Sequence, residues 1–161
     1  MAGRALVREV SSSFQDALRH DMSGLAPDPE LARAQHGAYC KALQSLGLEV
    51  RVLPPLDSHP DACFVEDRLI VGWGRALLTR SLVESRRGEA PTLAAAVQGR
   101  LGLTVMARGG LDGGDVIRLG DTLLVGLSER TDDAGVAELE RWVADLGVTV
   151  VPIPLESGLH L

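Results

Sequence analysis

The sequence predicts an α/β fold made of repeated strand–strand–helix–strand units, and three observations carry that prediction. Three segments rhyme: Leu46-Gly47-Leu48-Glu49-Val50-Arg51-Val52, Leu101-Gly102-Leu103-Thr104-Val105 and Leu146-Gly147-Val148-Thr149-Val150. In each, a Leu-Gly pair stops a helix, with Gly in the left-handed position, and an alternating β-branched strand starts at once. An amphipathic helix precedes every rhyme, and a strand pair with a glycine turn precedes the second and third helices. The unit recurs about every 45 to 55 residues, a period that suggests a propeller or an array.

Taken in order, Met1 to Val10 enters an alternating pattern directly, with no apolar signal-peptide region. The loop Asp21 to Pro29 has the composition of a mobile connection. The first helix spans Pro29 to Ser45, with Leu31, Ala34, Ala38, Ala42 and Leu46 on one face. Cys63–Val71 and Arg75–Arg80 form a strand pair that turns at Gly72-Trp73-Gly74. The second helix runs from Pro91 to Arg100 and carries Leu93, Ala96, Val97 and Leu101. Val116–Leu119 and Thr122–Gly126 pair through Gly120-Asp121, where Gly suits a positive φ. The third helix, Asp133 to Asp145, carries Val136, Leu139, Val143 and Leu146.

Composition excludes several function classes. A length of 161 residues suits one domain, residues 1–161, with one core. Aromatics make up only 3%, so the core must come from Leu, Val, Ile and Ala. The net charge of −6, with no basic stripe, argues against nucleic acid. No dinucleotide fingerprint or phosphate loop is present, which argues against nucleotide binding. No apolar run approaches the ~18 residues of a membrane span, so no membrane association and a cytoplasmic location are expected. Cys40 and Cys63 lie in different elements without metal-type spacing and read as reduced thiols.

Four constellations carry possible chemistry. Asp61-Ala62-Cys63-Phe64-Val65-Glu66-Asp67 crowds carboxylates at the start of an apolar strand. Adjacent Glu66 and Asp67 then point to opposite faces, and the inward one needs a cation or donors. A solvated loop with a salt-bridged acid is the alternative. Gly109-Gly110-Leu111-Asp112-Gly113-Gly114-Asp115 lets backbone approach a ligand closely, or is a plain glycine-rich turn. It lacks the spaced ligands of a calcium loop. In Gly126-Leu127-Ser128-Glu129-Arg130-Thr131-Asp132, Arg130 stands at a strand end, where its fork can meet a carboxylate. Ser128, Thr131 or Asp132 also suits a helix cap. His160, in Gly158-Leu159-His160-Leu161, is either a bystander or a proton carrier.

These motifs, in this order, resemble dimethylarginine dimethylaminohydrolases, of the arginine deiminase superfamily with its five-bladed αβ-propeller, or pentein, fold. Matching stretches are Phe64-Val65-Glu66-Asp67, Ser85-Arg86-Arg87-Gly88-Glu89, Leu111-Asp112-Gly113-Gly114-Asp115, Gly126-Leu127-Ser128-Glu129-Arg130-Thr131 and Leu159-His160-Leu161. The resemblance runs from Ala5 onward. It implies a partial pentein domain holding about three of five repeats. It further implies that Asp67 and Asp112 grip a guanidinium, and that Asp61, Arg86 and Arg130 clamp the amino-acid end of the substrate. In the same pattern Glu66 is an accessory ligand, Leu18 offers a lid carbonyl, and His160 is the general acid/base.

The implied reaction converts methylated arginine to citrulline and mono- or dimethylamine through a covalent cysteine intermediate, with no metal or other cofactor. Two in-plane carboxylates would fix the planar cation and leave its carbon open to attack. The family's nucleophile lies in its last blade, so about 90 to 100 further residues are expected beyond Leu161. Neither Cys40 nor Cys63 occupies a matching position. Asp132 departs from the Asn that relatives commonly carry there. An arginine deiminase, or a non-catalytic arginine-binding fragment, are the competing readings, and exposed blade edges would favour homo-oligomers.

Overall fold

The computed structural model describes residues 3–19 and 24–155. The chain divides into two compact units, residues 1–65 and 66–161.

The first unit is built from β1 (Arg4–Arg8), α1 (Pro29–Ser45) and β2 (Glu49–Leu53), with β1 and β2 paired in parallel. Helix α1 starts where it does because Pro29 sits in its first turn and the Asp28 carboxylate accepts N–H bonds from Glu30 and Leu31. It ends at Gly47, whose φ is 82°. The bounds agree with the sequence reading, but the packing does not. Leu31, Ala34, Ala38, Ala42 and Leu46 are all exposed, and none of the helix is fully buried. The side that packs carries Arg33, His36 and Cys40; the Arg33 Nε donates to the Val10 carbonyl. Val7, Val10, Ala17, Leu53, Ala62 and Val65 form the buried apolar set of this unit.

The expected strand from Cys63 is a second correction. Val65–Arg68 is a helical turn (α2), and the strand β3 occupies only Leu69–Gly72. Bonds from Phe64 N to the Asp61 carbonyl and from Val65 N to the Cys63 carbonyl curl the chain before it can extend. Glu66 and Asp67 are therefore successive residues of a helical turn and do not lie on opposite faces of a sheet.

In the second unit β3 pairs antiparallel with β4 (Arg75–Leu78), and β5 (Gly102–Val105) adds in parallel to β4. The two-residue turn Trp73-Gly74 has positive φ at both positions, 50° and 73°. Strain at Trp73 is offset by its ring, which meets Trp142 edge-on at 5.9 Å and lies under the Arg118 guanidinium at 4.3 Å. Helix α3 spans Ala90–Val97, shorter than expected, because the chain turns at Gly99 with φ 73°. The second Leu-Gly pair therefore opens a strand at Gly102 and does not cap the helix.

Within the same unit the pattern is repeated. β6 (Val116–Leu119) and β7 (Thr122–Leu127) form a hairpin through Gly120, φ 60°, and β8 (Thr149–Pro154) pairs in parallel with β7. Between them α4 (Asp133–Val143) buries Val136, Leu139, Trp142 and Val143. These side chains join Leu77, Met106, Leu111, Leu123 and Val125 in one core. The loops that leave the central strands β4 and β7 bear Arg86 and Arg130, while Asp67 and Asp112 stand just before the first strands β3 and β6 of the two hairpins.

Candidate functional site

A buried arginine organises the charged cluster of the second unit. Arg86 lies in a 3₁₀ segment, Glu84–Glu89, and is 1% exposed. Its Nε and Nη2 donate to the two oxygens of Glu89 at 2.9 and 3.1 Å, a bidentate pair with both partners out of water. Its Nη1 donates to Asp67 at 2.5 Å and lies 3.9 Å from Asp112. Burial disfavours the Arg86 charge, but the bonds it donates to Glu89 and Asp67, and their charges, outweigh it and hold the guanidinium firmly protonated. Arg130 reaches the same oxygen of Asp112 from the open side, at 3.4 Å, with 30% of its side chain exposed.

Asp112 is placed by local backbone and by a deeper hydrogen-bond chain. It begins the turn Gly113–Asp115, its carboxylate accepting from Gly114 N at 3.1 Å. Its own N–H donates to Thr131 Oγ1, whose hydroxyl donates to the buried Asp115. Ser128 Oγ donates to the same Asp115 oxygen at 2.7 Å. Gly113 is required here, since a Cβ would stand 2.0 Å from the Glu66 carbonyl oxygen. That close approach brings the Asp112 loop against α2 and sets Asp112 beside Asp67.

Two carboxylates so close cannot both ionise freely. Burial, then the charge of Asp67 and a hydrogen bond between the two carboxyls, push Asp112 up to about 6. Burial also raises Glu66, the charge of Asp67 adding to the rise and that of Arg86 opposing it. Behind them Arg68 is 3% exposed and donates to Thr79 Oγ1, which donates in turn to the Asp67 carbonyl. Burial lowers Arg68 from the usual arginine range.

Of the residues singled out from sequence, Asp67, Arg86, Asp112 and Arg130 come together, with Glu66 adjoining them on α2. In the first unit, Asp61 is 5% exposed and accepts from Leu18 N at 3.0 Å. His160 lies outside the described residues. Asp132 is the cap of α4, accepting from Gly135 N and also from Gly110 N. Glu89, Asp115 and Arg68 were not among the sequence-derived site residues. The spacing of Arg86 and Glu89, three apart, was the one local signal for that pair. Among the described residues no group of three or more His, Cys, Asp or Glu is arranged to hold a metal ion. No described helix is long and apolar enough to cross a membrane.

Comparison with known proteins gives the cluster a context. No family model matches the chain. It is 41% identical over 161 residues to an N(G),N(G)-dimethylarginine dimethylaminohydrolase of Streptomyces coelicolor, covering 98% of this chain and 62% of that protein. Among solved structures it is similar to the Pseudomonas aeruginosa dimethylarginine dimethylaminohydrolase, a cysteine-to-serine variant complexed with citrulline. The TM-score is 0.92 at 32% identity, over 100% of this chain and 64% of that one. The fold is also that of the N-terminal domain of ArgZ, a cyanobacterial arginine dihydrolase bound to its substrate, with TM-score 0.80 at 19% identity, over 94% of this chain and 57% of that one. The likeness makes this an incomplete pentein α/β fold. The chain spans about three-fifths of the length of curated relatives that it matches, 62% for the Streptomyces coelicolor protein and for the one of Pseudomonas aeruginosa.

Proposed function

Because the chain is homologous to the dimethylarginine dimethylaminohydrolases of the pentein superfamily, we propose that it carries the guanidinium-binding part of a guanidine-modifying protein for arginine-type small molecules. The observation that carries this reading is the convergence of Asp67 and Asp112 on a guanidinium, that of Arg86, at 2.5 and 3.9 Å. A substrate guanidinium on the open side of the same pair meets two carboxylates in a largely dry setting, where each charge-assisted bond gains strength. Asp67 and Asp112 grip that cation. Arg130, the more exposed arginine, meets the substrate carboxylate, and Arg86 completes the clamp while bracing Asp67. Glu66 adds a polar contact. For Asp61, the Leu18 backbone and His160, roles at the amino-acid end and in proton transfer rest on the resemblance of their motifs alone.

A finer reading is hydrolysis of Nω-methylated arginine to citrulline and an alkylamine through a cysteine thiolate. The 41% identity to a protein of that activity favours it. Cys40 and Cys63 match no nucleophile motif, so this chain alone releases no citrulline in this reading.

Calorimetric titration of the chain with dimethylarginine, arginine, citrulline and lysine tests both levels. Guanidino amino acids should bind at least about tenfold tighter than lysine, because a point charge cannot meet two in-plane carboxylates as a fork does. Asp67→Asn should abolish that preference. Equal binding of lysine would sink the guanidinium reading. Arginine bound in preference to dimethylarginine would move the assignment to the deiminases.

A further inference from the structure

Helix α1 carries a second site, chemically unlike the carboxylate cluster and independent of the function proposed above. His36 and Cys40 stand one helical turn apart, with Sγ 3.7 Å from Nδ1. Both line a cavity of about 580 Å³, within the range that small-molecule sites occupy. Gly37 lies between them on the lining, and a methyl group built on it would meet nothing within 4 Å, so the space above the helix is open.

The remaining walls are charged in a specific way. Arg33 lies on the lining with 39% of its side chain exposed, its Nη1 paired with the exposed Glu30 and its Nε donating to the Val10 carbonyl, which leaves Nη2 without a hydrogen-bond partner among the described residues. Glu9 and Asp57 supply two carboxylates. Asp57 is fixed by the Ser12 N–H and hydroxyl, each at 2.8 Å. One cation and two anions around a cavity complement a molecule bearing both carboxylate and ammonium groups.

We propose that Cys40 and His36 form a modification site that takes up small zwitterionic disulfides, those of low-molecular-weight thiols with amino-acid ends, as a mixed disulfide. Nδ1 of His36 accepts the Cys40 proton. The thiolate attacks one sulfur of the bound disulfide, a Cys40 S–S bond forms, and the ligand's own S–S bond breaks. The expelled thiolate takes the proton back from His36 and leaves as a thiol. One disulfide is consumed and one formed, so the ligand is the only oxidant needed. Burial holds His36 below the usual histidine range and so favours the neutral imidazole, while the charge of Glu9 opposes that shift and favours the imidazolium formed when the proton is taken. Cys63 is also a half-buried thiol but lies outside the cavity lining, and it serves as an internal reference.

The test treats the intact chain with glutathione disulfide and, separately, with neutral 2-hydroxyethyl disulfide, following adducts by intact mass and peptide mapping. Glutathione should appear on Cys40 at least about tenfold faster than on Cys63, with a rate that saturates. The neutral disulfide should react without saturating. His36→Gln should slow Cys40 about tenfold at pH 7 while the Cys63 rate, unchanged, reports an intact fold. Arg33→Gln should raise the half-saturating concentration of glutathione disulfide alone. Equal labelling of the two cysteines in the unmodified sequence, or no saturation at Cys40, overturns the proposal without any variant. An unchanged Cys40 rate in His36→Gln overturns the role of the imidazole.

Discussion

Helices α1 and α4 are capped alike and packed in opposite senses. Each opens on an aspartate whose carboxylate accepts first-turn N–H groups, Asp28 from Glu30 and Leu31, Asp132 from Gly135. The apolar stripe of α4 is buried, with Leu139 at 0% and Val143 at 1% exposure. That of α1 faces outward, with Leu31 at 56% and Leu46 at 77%. An apolar stripe therefore tells where a helix forms, while the elements around it decide which side is covered. For α4, Trp73 and the β7 side chains Leu123 and Val125 offer an apolar surface. In α1 the packed side instead carries Arg33, His36 and Cys40, around a cavity.

The largest effect expected from this contrast is in the core. Leu139→Ala should destabilise the chain by about 2–5 kcal/mol, through lost transfer energy and an unfilled cavity. Leu31→Ala, on the exposed stripe of α1, should stay within about 0.5 kcal/mol. Denaturant midpoints of the two variants measure the difference. Equal losses would mean that the α1 stripe is covered in solution.

Next comes the pair of caps. Asp132 holds Gly110 N as well as Gly135 N, at 3.0 and 2.7 Å, and both glycines are buried. Asp132→Ala leaves two buried donors without acceptors and should lose about 2 kcal/mol. Asp28→Ala exposes its donors to water and should lose about 0.5–1 kcal/mol. Thermal melts rank the two, and a larger loss at Asp28 would contradict the role given to the Gly110 bond.

The same contrast explains what the sequence made legible. The bounds of α1 were readable because their determinants, Asp28, Pro29 and Gly47, are local. The hairpin at Gly120 and the buried face of α4 were readable for the same reason. The turn Val65–Arg68 was not, because the run Cys63-Phe64-Val65 that leads into it also fits a strand. What secures it is distant in sequence: Thr79 donates to the Asp67 carbonyl, and the bare Cα of Gly113 admits the Glu66 carbonyl. Within the site, Asp67, Asp112 and Arg130 were named from their motifs. Glu89 and Asp115 escaped because nothing local marks a carboxylate as buried; their burial, 1% each, follows from Arg86, Thr131 and Ser128 closing over them.

The last and smallest effect belongs to Asp112, which caps a turn as Asp28 does but in a dry, crowded place. Its carboxyl is pushed to about 6 by burial and by Asp67. The folded chain therefore holds a proton there that the unfolded chain, with an ordinary aspartate near 4, releases. The stability from that proton is fully present below about pH 4 and is lost as pH rises through about 6. Asp112→Asn cannot ionise, so its stability relative to the unmodified chain should improve between pH 4 and 7. The gain should be on the order of 1 kcal/mol; the opposing pull of Arg86 is already contained in the value near 6. Binding should run the other way: a guanidinium calls for the ionised acid, so its affinity should rise through about pH 6 in the unmodified chain and be lost in the variant. Melting curves and titrations across this range decide the matter. Parallel stability profiles for the two proteins would show that Asp112 is ionised throughout, and that the two carboxyls do not share a proton.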